Sequence, residues 1–565
     1  MAPPVPAPPP RPSYANVQNP QTTAQAQVTP VAPPPDDDVE RVAVIVTHGM
    51  GQQVPFETLE MLANAVRTEA SLQNPGAPSP MVTARVVRLG TTGEPTEPQL
   101  TRAELRIILP DGKPRDVHFY EVYWAPLTEG KVTIRDVISF LYSAGWLGIK
   151  NTFQGQYFER WMFGAFQRFT KKTWILVLSF LMAFADLGSL VLINGIIAAV
   201  AASNMLTGGK TDWPAPELGA ALTFDMLFVV AALALVGIGV FLVPRWLRYF
   251  AWACVWAGIA ALPVVACLMG LHIALPPTHA AWHQAILESK WVMFVLWGCA
   301  LLASGYVRKI LIQYVGDVAA YINAHTVSKF WKIRKDIYET AMRVFSPVYK
   351  SRRNEEKIYE WERYTLDGRL KPHYTTPVCK FQYENVLVVG HSLGSVVSYD
   401  SLNGLLLEDE LSAPPLYVPQ RTRLLLTFGS PLDKTAFIFR THKKNVSEIR
   451  EAAAAAVQPM IASYLHRPRQ WVNIFSRNDW VSGSLEFYDS NPPPPAPIIP
   501  PMQHLRVPVP VENMEDLDAS SPLMAHIQYW NNPILRRVLY SVLTTRQFSS
   551  QPLCFLAPSI SHKSL

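Results

Sequence analysis

Val386-Leu387-Val388-Val389 runs directly into Gly390-His391-Ser392-Leu393-Gly394, and Ser395-Val396-Val397 follows. The β-branched apolar run predicts a buried strand, and the apolar stretch after the pentapeptide predicts a helix. Between them, G-x-S-x-G is the pattern of a sharp strand-to-helix turn that leaves a serine exposed at the strand's C-terminal end. Gly390 and Gly394 lack side chains, so strand and helix can approach closely enough for that turn. The amide of Leu393 then faces the same space as the Ser392 hydroxyl. The bland alternative is a glycine-rich strand–helix turn with an ordinary serine.

A chain of 565 residues is long enough for more than one compact unit. Its net charge of +6 is mild, and its basic residues form no stripe with interleaved aromatics, which argues against nucleic acid as a partner. The five cysteines form no C-x-x-C pair, so neither a zinc site nor a disulfide framework is indicated, and nothing points to another metal or a cofactor. Hydrophobic residues make up 49% of the chain, which is high for a wholly soluble protein.

Residues 1–39 are rich in Pro, Ala and Gln and predict a disordered tail, because they hold too little apolar surface to offset ordering entropy. Order is expected to begin near Arg41. Val42–Val46 predicts a buried strand, followed by Thr47-His48-Gly49-Met50-Gly51 and a helix over Phe56–Leu72. Met81–Leu89, Ala103–Leu109 and Val117–Trp124 are strand-like. The last two flank Pro110-Asp111-Gly112-Lys113 and predict a hairpin. Amphipathic helices are expected near Val132–Trp146 and Tyr157–Phe169. Beyond the elbow, Arg423–Phe428 and Trp471–Phe475 predict strands, and Ile534–Leu543 a helix. Residues 549–565 are read as a tail.

Between these parts the character changes. Residues 174–203, 226–243, 247–275 and 291–307 are long apolar stretches, the fourth the shortest. A bilayer's hydrocarbon core takes about 20 helical residues, so they predict a four-helix transmembrane insertion over 170–309. Arg168, Lys171 and Lys172 precede the block, Arg245 and Arg248 lie in its middle loop, and Arg308 and Lys309 follow it. The positive-inside rule places both flanks and that middle loop in the cytoplasm. The expectation is a multi-pass membrane protein with its catalytic domain and both termini cytoplasmic. Asp186 and Asn194 fall inside the first span, where polar groups usually face a bundle interior. The basic amphipathic stretch Ile322–Tyr349 follows, and its apolar residues, among them Phe330, Trp331, Ile333, Ile337 and Met342, fit either a membrane interface or packing on a sheet.

A serine hydroxyl becomes a nucleophile when a base takes its proton and a third group orients that base. Asp479 follows a strand after the elbow, and His526 comes later still, which matches the chain order Ser, acid, His. Asp433 is the rival acid, and His504 and His562 are rival bases.

Gly390–Gly394, His48–Gly51, Thr427–Pro431, Ser476–Asp479 and Ala525–Trp530 together resemble lipase-like serine hydrolases of the α/β-hydrolase superfamily. The resemblance covers residues 41–55 and about 380–545, and leaves out the membrane block. It implies an α/β-hydrolase sheet flanked by helices, built from residues 40–165 and 310–548 and interrupted by the insertion. It also implies Ser392 as nucleophile, His526 as base and Asp479 as acid, with the amides of Met50 and Leu393 as oxyanion donors. His48, Gly49, Gly51, Gly390 and Gly394 would support the turns. The implied substrate is a lipid or other acyl ester met at the membrane. A thioesterase, an acyltransferase, or a membrane transporter or scaffold with an inactive hydrolase-like domain stays open beside it.

Overall fold

A computed structural model describes residues 39–140, 216–274, 328–351, 381–435, 457–489 and 510–545, with short gaps inside these ranges. It also describes the isolated positions 189, 192, 193, 195, 196, 317, 320 and 321. The tails, the expected spans 174–203 and 291–307 apart from five positions in the first, Asp186, Asn194, His504 and His562 lie outside the described residues.

The core is one eight-stranded sheet in the order β2-β3-β4-β1-β5-β6-β7-β8. Its strands are β1 (Glu40–Thr47), β2 (Val82–Arg88), β3 (Gln99–Ile108), β4 (Pro114–Val122), β5 (Asn385–His391), β6 (Thr422–Phe428), β7 (Gln470–Phe475) and β8 (Glu512–Glu515). From β4 to β8 every neighbouring pair is parallel, and β2-β3-β4 is an antiparallel meander. The β3–β4 turn closes through Gly112 at φ 78°, where glycine avoids the steric cost of the left-handed region. The protein is therefore a mixed α/β structure with a mostly parallel sheet.

Continuous apolar runs in β1, β5 and β6 follow from burial on both faces, the usual state of a parallel sheet. One face is covered by α1 (Glu57–Gln73) and the C-terminal helix Pro533–Thr544, through Leu62, Val66, Val538 and Leu539. The other is covered by Ser328–Lys350 and by the helix after β5, Leu393–Leu411.

Two apolar helices lie between the halves of the sheet: α2 (Pro216–Gly237) and α3 (Arg248–Ala274). They pack on one another through Leu222, Met226, Val229, Leu262, Val265 and Met269. Gly258 permits the close crossing, since a Cβ there would strike the Ala232 carbonyl oxygen and Val236. Asp225 accepts from His272 Nδ1 at 2.8 Å across the pair. Among the described residues one helix, Tyr249–Ala274, is long and apolar enough to cross a membrane, and the apolar part of α2, Phe224–Gly237, is shorter than a span. The expected four-helix block is thus not seen: one of its members is present at span length, one falls short, and two lie outside the described residues but for the five positions in the first.

The amphipathic stretch forms α4 (Ser328–Lys350), and α5 is the elbow helix Leu393–Leu411. The apolar face of α4 does not lie in an interface. Phe330, Ile333 and Ile337 are buried in the core against the sheet and α5, leaving Trp331 exposed. The final helix, Pro533–Thr544, is α6.

Candidate active site

Because β1, β5, β6, β7 and β8 are parallel neighbours, the loops that follow them all leave the sheet at one edge. That edge is where open parallel sheets place their ligands. Thr47 pairs with Gly390, so His48-Gly49 meets His391-Ser392 directly.

Ser392 sits between the end of β5 and the start of α5 with φ 52° and ψ −130°. A non-glycine residue held there costs about 1–3 kcal/mol and persists only when its surroundings fix it. They do so from three sides. The Ser392 amide donates to the Phe428 carbonyl at 3.0 Å. Its own carbonyl accepts from the Ser395 amide at 3.0 Å and from Ser395 Oγ at 2.6 Å. With its proton given to that carbonyl, Ser395 Oγ accepts from Ser430 Oγ at 2.6 Å. A Cβ on Gly390 would sit 2.5 Å from Ser395 Cα, and one on Gly394 would collide with the carbonyl oxygens of Thr47 and His48. Both glycines are therefore required by backbone approach.

His526 lies on the short helix Ala525–Gln528 after β8. Its Nε2 is 2.8 Å from Ser392 Oγ, and its Nδ1 is 2.9 Å from Asp479 Oδ2. Asp479 follows β7 and is buried. An ionised carboxylate only accepts, so the Nδ1 of His526 carries the proton and Nε2 is left to accept from Ser392. Oδ2 of Asp479 also accepts from Tyr529 Oη at 2.9 Å, and Oδ1 accepts from the Val481 amide at 2.9 Å. Burial alone would raise the Asp479 carboxyl; the nearby His526 and these hydrogen bonds outweigh it and hold the group well below the usual carboxylate range. Tyr529 gives its single proton to Asp479, so it accepts from Ser482 Oγ at 2.9 Å.

His391, the residue before Ser392 in the elbow, supports His526. Its Nε2–H donates to the His526 carbonyl at 3.1 Å, and its ring packs among Phe428, His526 and Trp530. Burial, then the neighbouring His526, push its pKa down to about 3, so the ring is neutral. His391 and Tyr529 lie inside the Gly390–Gly394 and Ala525–Trp530 stretches, but at positions to which the pattern itself assigns no role.

The loop after β1 closes the other side. His48 is buried and stacked on Trp124 at 4.8 Å between ring centroids. Its Nε2 accepts from the amides of Trp124 and Ala125 at 3.0 and 3.3 Å, and its Nδ1–H donates to the Gly49 carbonyl at 2.7 Å. Burial, opposed by that backbone bond, pushes its pKa down to about 4. His48 is thus a neutral brace for the turn. Gly49 lies so near the elbow that a Cβ on it would be 2.9 Å from Ser392 Cβ. Met50 is buried next in line, and Gly51, at φ 93°, donates its amide to Asp317 Oδ2 at 2.8 Å. Leu393 opens α5, where a first-turn amide has no acceptor within its own helix.

The structure thus brings Ser392, His526 and Asp479 into one hydrogen-bonded line and sets Gly49, Met50 and Leu393 around it. The rival acid Asp433 is buried against Gly483 and paired with Lys434 Nζ at 2.9 Å, while His526 Nδ1 is engaged by Asp479. Comparison with protein-family models, with curated protein sequences and with solved structures gave no match.

Proposed function

We propose that the protein is a serine hydrolase of the α/β-hydrolase type that cleaves carboxylic esters, lipid acyl esters above all, and that its apolar insert anchors it in a membrane with the catalytic edge cytoplasmic. The observation that carries the reading is the Ser392–His526–Asp479 line, built on a serine at positive φ between strand and helix. In this mechanism His526 Nε2 takes the Ser392 proton as Oγ attacks the ester carbonyl carbon. Asp479 keeps the ring in the Nδ1–H tautomer and stabilises the imidazolium. The oxyanion of the tetrahedral intermediate is held by the amides of Leu393 and Met50. His526 then protonates the departing alkoxide, leaving an acyl-enzyme on Ser392. Water, deprotonated by the same ring, hydrolyses it. Val54 and Phe56 beyond the β1 loop and Ile527 beside His526 are exposed, and they offer apolar surface at this edge for an acyl chain.

Ser392→Ala is expected to lower kcat on short- and long-chain acyl esters by about 10⁴-fold or more while the protein stays folded. A variant within tenfold of wild type would overturn the assignment.

A further inference from the structure

The chain returning from the apolar insert reaches the catalytic edge before α4 begins. Asp317, Ala320 and Tyr321 are helical, and their spacing puts them on one face. That face is buried against the sheet edge. Tyr321 Oη donates to Asp400 Oδ2 on α5 at 2.8 Å, and Arg334 of α4 donates to the same oxygen at 2.8 Å. One turn earlier, Asp317 Oδ2 accepts the Gly51 amide at 2.8 Å. Thr128 lies on the same carboxyl group. The returning segment therefore touches both the elbow helix and the loop facing it.

The bond to Gly51 matters because of what precedes it. Each of the two peptide units of Gly49-Met50-Gly51 has one short hydrogen bond. The Gly49–Met50 unit is held through its carbonyl, which accepts from His48 Nδ1 at 2.7 Å. In a trans peptide the N–H points opposite to the carbonyl, so this bond directs the Met50 amide away from His48. The Met50–Gly51 unit is held through its N–H, by Asp317 at 2.8 Å, and only by a long 3.5 Å bond from Gln53 Nε2 at its carbonyl. Gly51 has φ 93° and no Cβ, so nothing in its own sterics opposes a flip of the unit before it. Such a flip would swing the Met50 carbonyl to the side now taken by the Gly51 N–H and free the backbone next to the Met50 amide from its buried anchor. His48 is local to the loop; Asp317 comes from far along the chain.

We propose that Asp317 is a positioning residue for the oxyanion-binding loop, holding the Met50–Gly51 peptide so that the Met50 amide meets the oxyanion. This rests on the serine-hydrolase reading above. Asp317 touches no reacting atom; it acts through the backbone of Met50 and Gly51. Its buried site also pushes its pKa up to about 6.

The test compares the full-length wild-type protein with D317L and D317N on a soluble short-chain ester. D317L keeps the branching at Cγ and removes the acceptor; D317N keeps an oxygen that can accept the Gly51 N–H. In D317L, kcat should fall about 10- to 100-fold with KM within about threefold, the scale of loss that a small misplacement of a catalytic group produces. D317N should recover most of the rate. Affinity for a trifluoromethyl ketone, whose adduct puts an oxyanion in the same place, should fall with kcat in D317L and return in D317N. If D317L does not fold, D317V, which also lacks an acceptor, carries the same expectations. A folded variant without the acceptor that keeps kcat within threefold of wild type, or that loses rate through KM alone, overturns this inference and leaves the hydrolase reading standing. Wild-type protein with no Ser392-dependent turnover overturns both.

Discussion

The strands at the centre of the sheet and the helices of the insert are made of similar residues and end in different surroundings. Val42, Val44, Ile45, Val388 and Leu425 are all at most 1% exposed, enclosed by helices on both faces. In α3, Val264 is 59% and Leu271 52% exposed, while Leu262, Val265 and Met269 face α2. Hydropathy states that a segment must leave water; it does not state what will cover it. In the sheet the cover comes from the chain itself. On α3, a row of apolar side chains points outward, the kind of surface that marks a membrane or partner contact. Polar groups differ in the same way. At the Ser392 edge of the sheet Asp479, His526, Tyr529 and Ser482 form a chain of mutual hydrogen bonds, whereas the α2–α3 pair is joined by Asp225 and His272.

That contrast gives unequal predictions for the two regions. Val264 and Leu271 share one face of α3, so V264D/L271D places two carboxylates on its outward surface. If lipid covers that face, the aspartate at 264 costs about 2.5–3.5 kcal/mol of insertion free energy and the one at 271, in the last turn, adds a smaller amount. The variant should then move from the alkaline-washed membrane pellet to the soluble or aggregated fraction. Unchanged partitioning would mean that lipid does not cover this face of α3.

A second change attacks the enclosed region. G394A adds one methyl group where the Thr47 and His48 carbonyl oxygens already stand, and backbone cannot move aside cheaply. The expected cost is about 3 kcal/mol in chemical unfolding, together with loss of esterase turnover. An alanine tolerated within about 0.5 kcal/mol would show that β1 and α5 do not approach as described.

The smallest expected effect concerns protons. His391 stays neutral down to about pH 3 in the folded protein, whereas a histidine in an unfolded chain titrates near 6.5. Between those values the unfolded chain binds a proton that the folded one refuses, so His391 makes stability fall as pH drops below about 6.5. H391Q removes that linkage and keeps an N–H for the His526 carbonyl. The stability lost between pH 7 and 4.5 should be smaller in H391Q by about 2–3 kcal/mol. Equal losses in the two proteins would show that His391 is not held neutral.

The Ser392 edge was legible in the sequence where local pattern and chain order coincide. β1, β5, β6 and β7 announce themselves as short apolar runs ending in turn residues, and the order Ser392, Asp479, His526 singles out the acid and base that the fold brings together. β8 escaped notice because Glu512-Asn513-Met514-Glu515 is a half-buried edge strand, where polar residues are normal. The stripe of Phe330, Ile333 and Ile337 has the same helical period whether it meets lipid or a sheet, so only tertiary contacts place it in the core. Asp317 gives no signal at all, because its role arises from contact with Gly51, 266 positions away.

The central claim is that Ser392 is a nucleophile activated by His526. Treatment of the full-length protein with a fluorophosphonate, followed by peptide mapping, tests it most directly. The account predicts about one label per chain, carried on Ser392, absent from S392A and slowed by orders of magnitude in H526A. Labelling that persists in S392A, or a wild-type Ser392 that stays unmodified while the protein is folded, would contradict it.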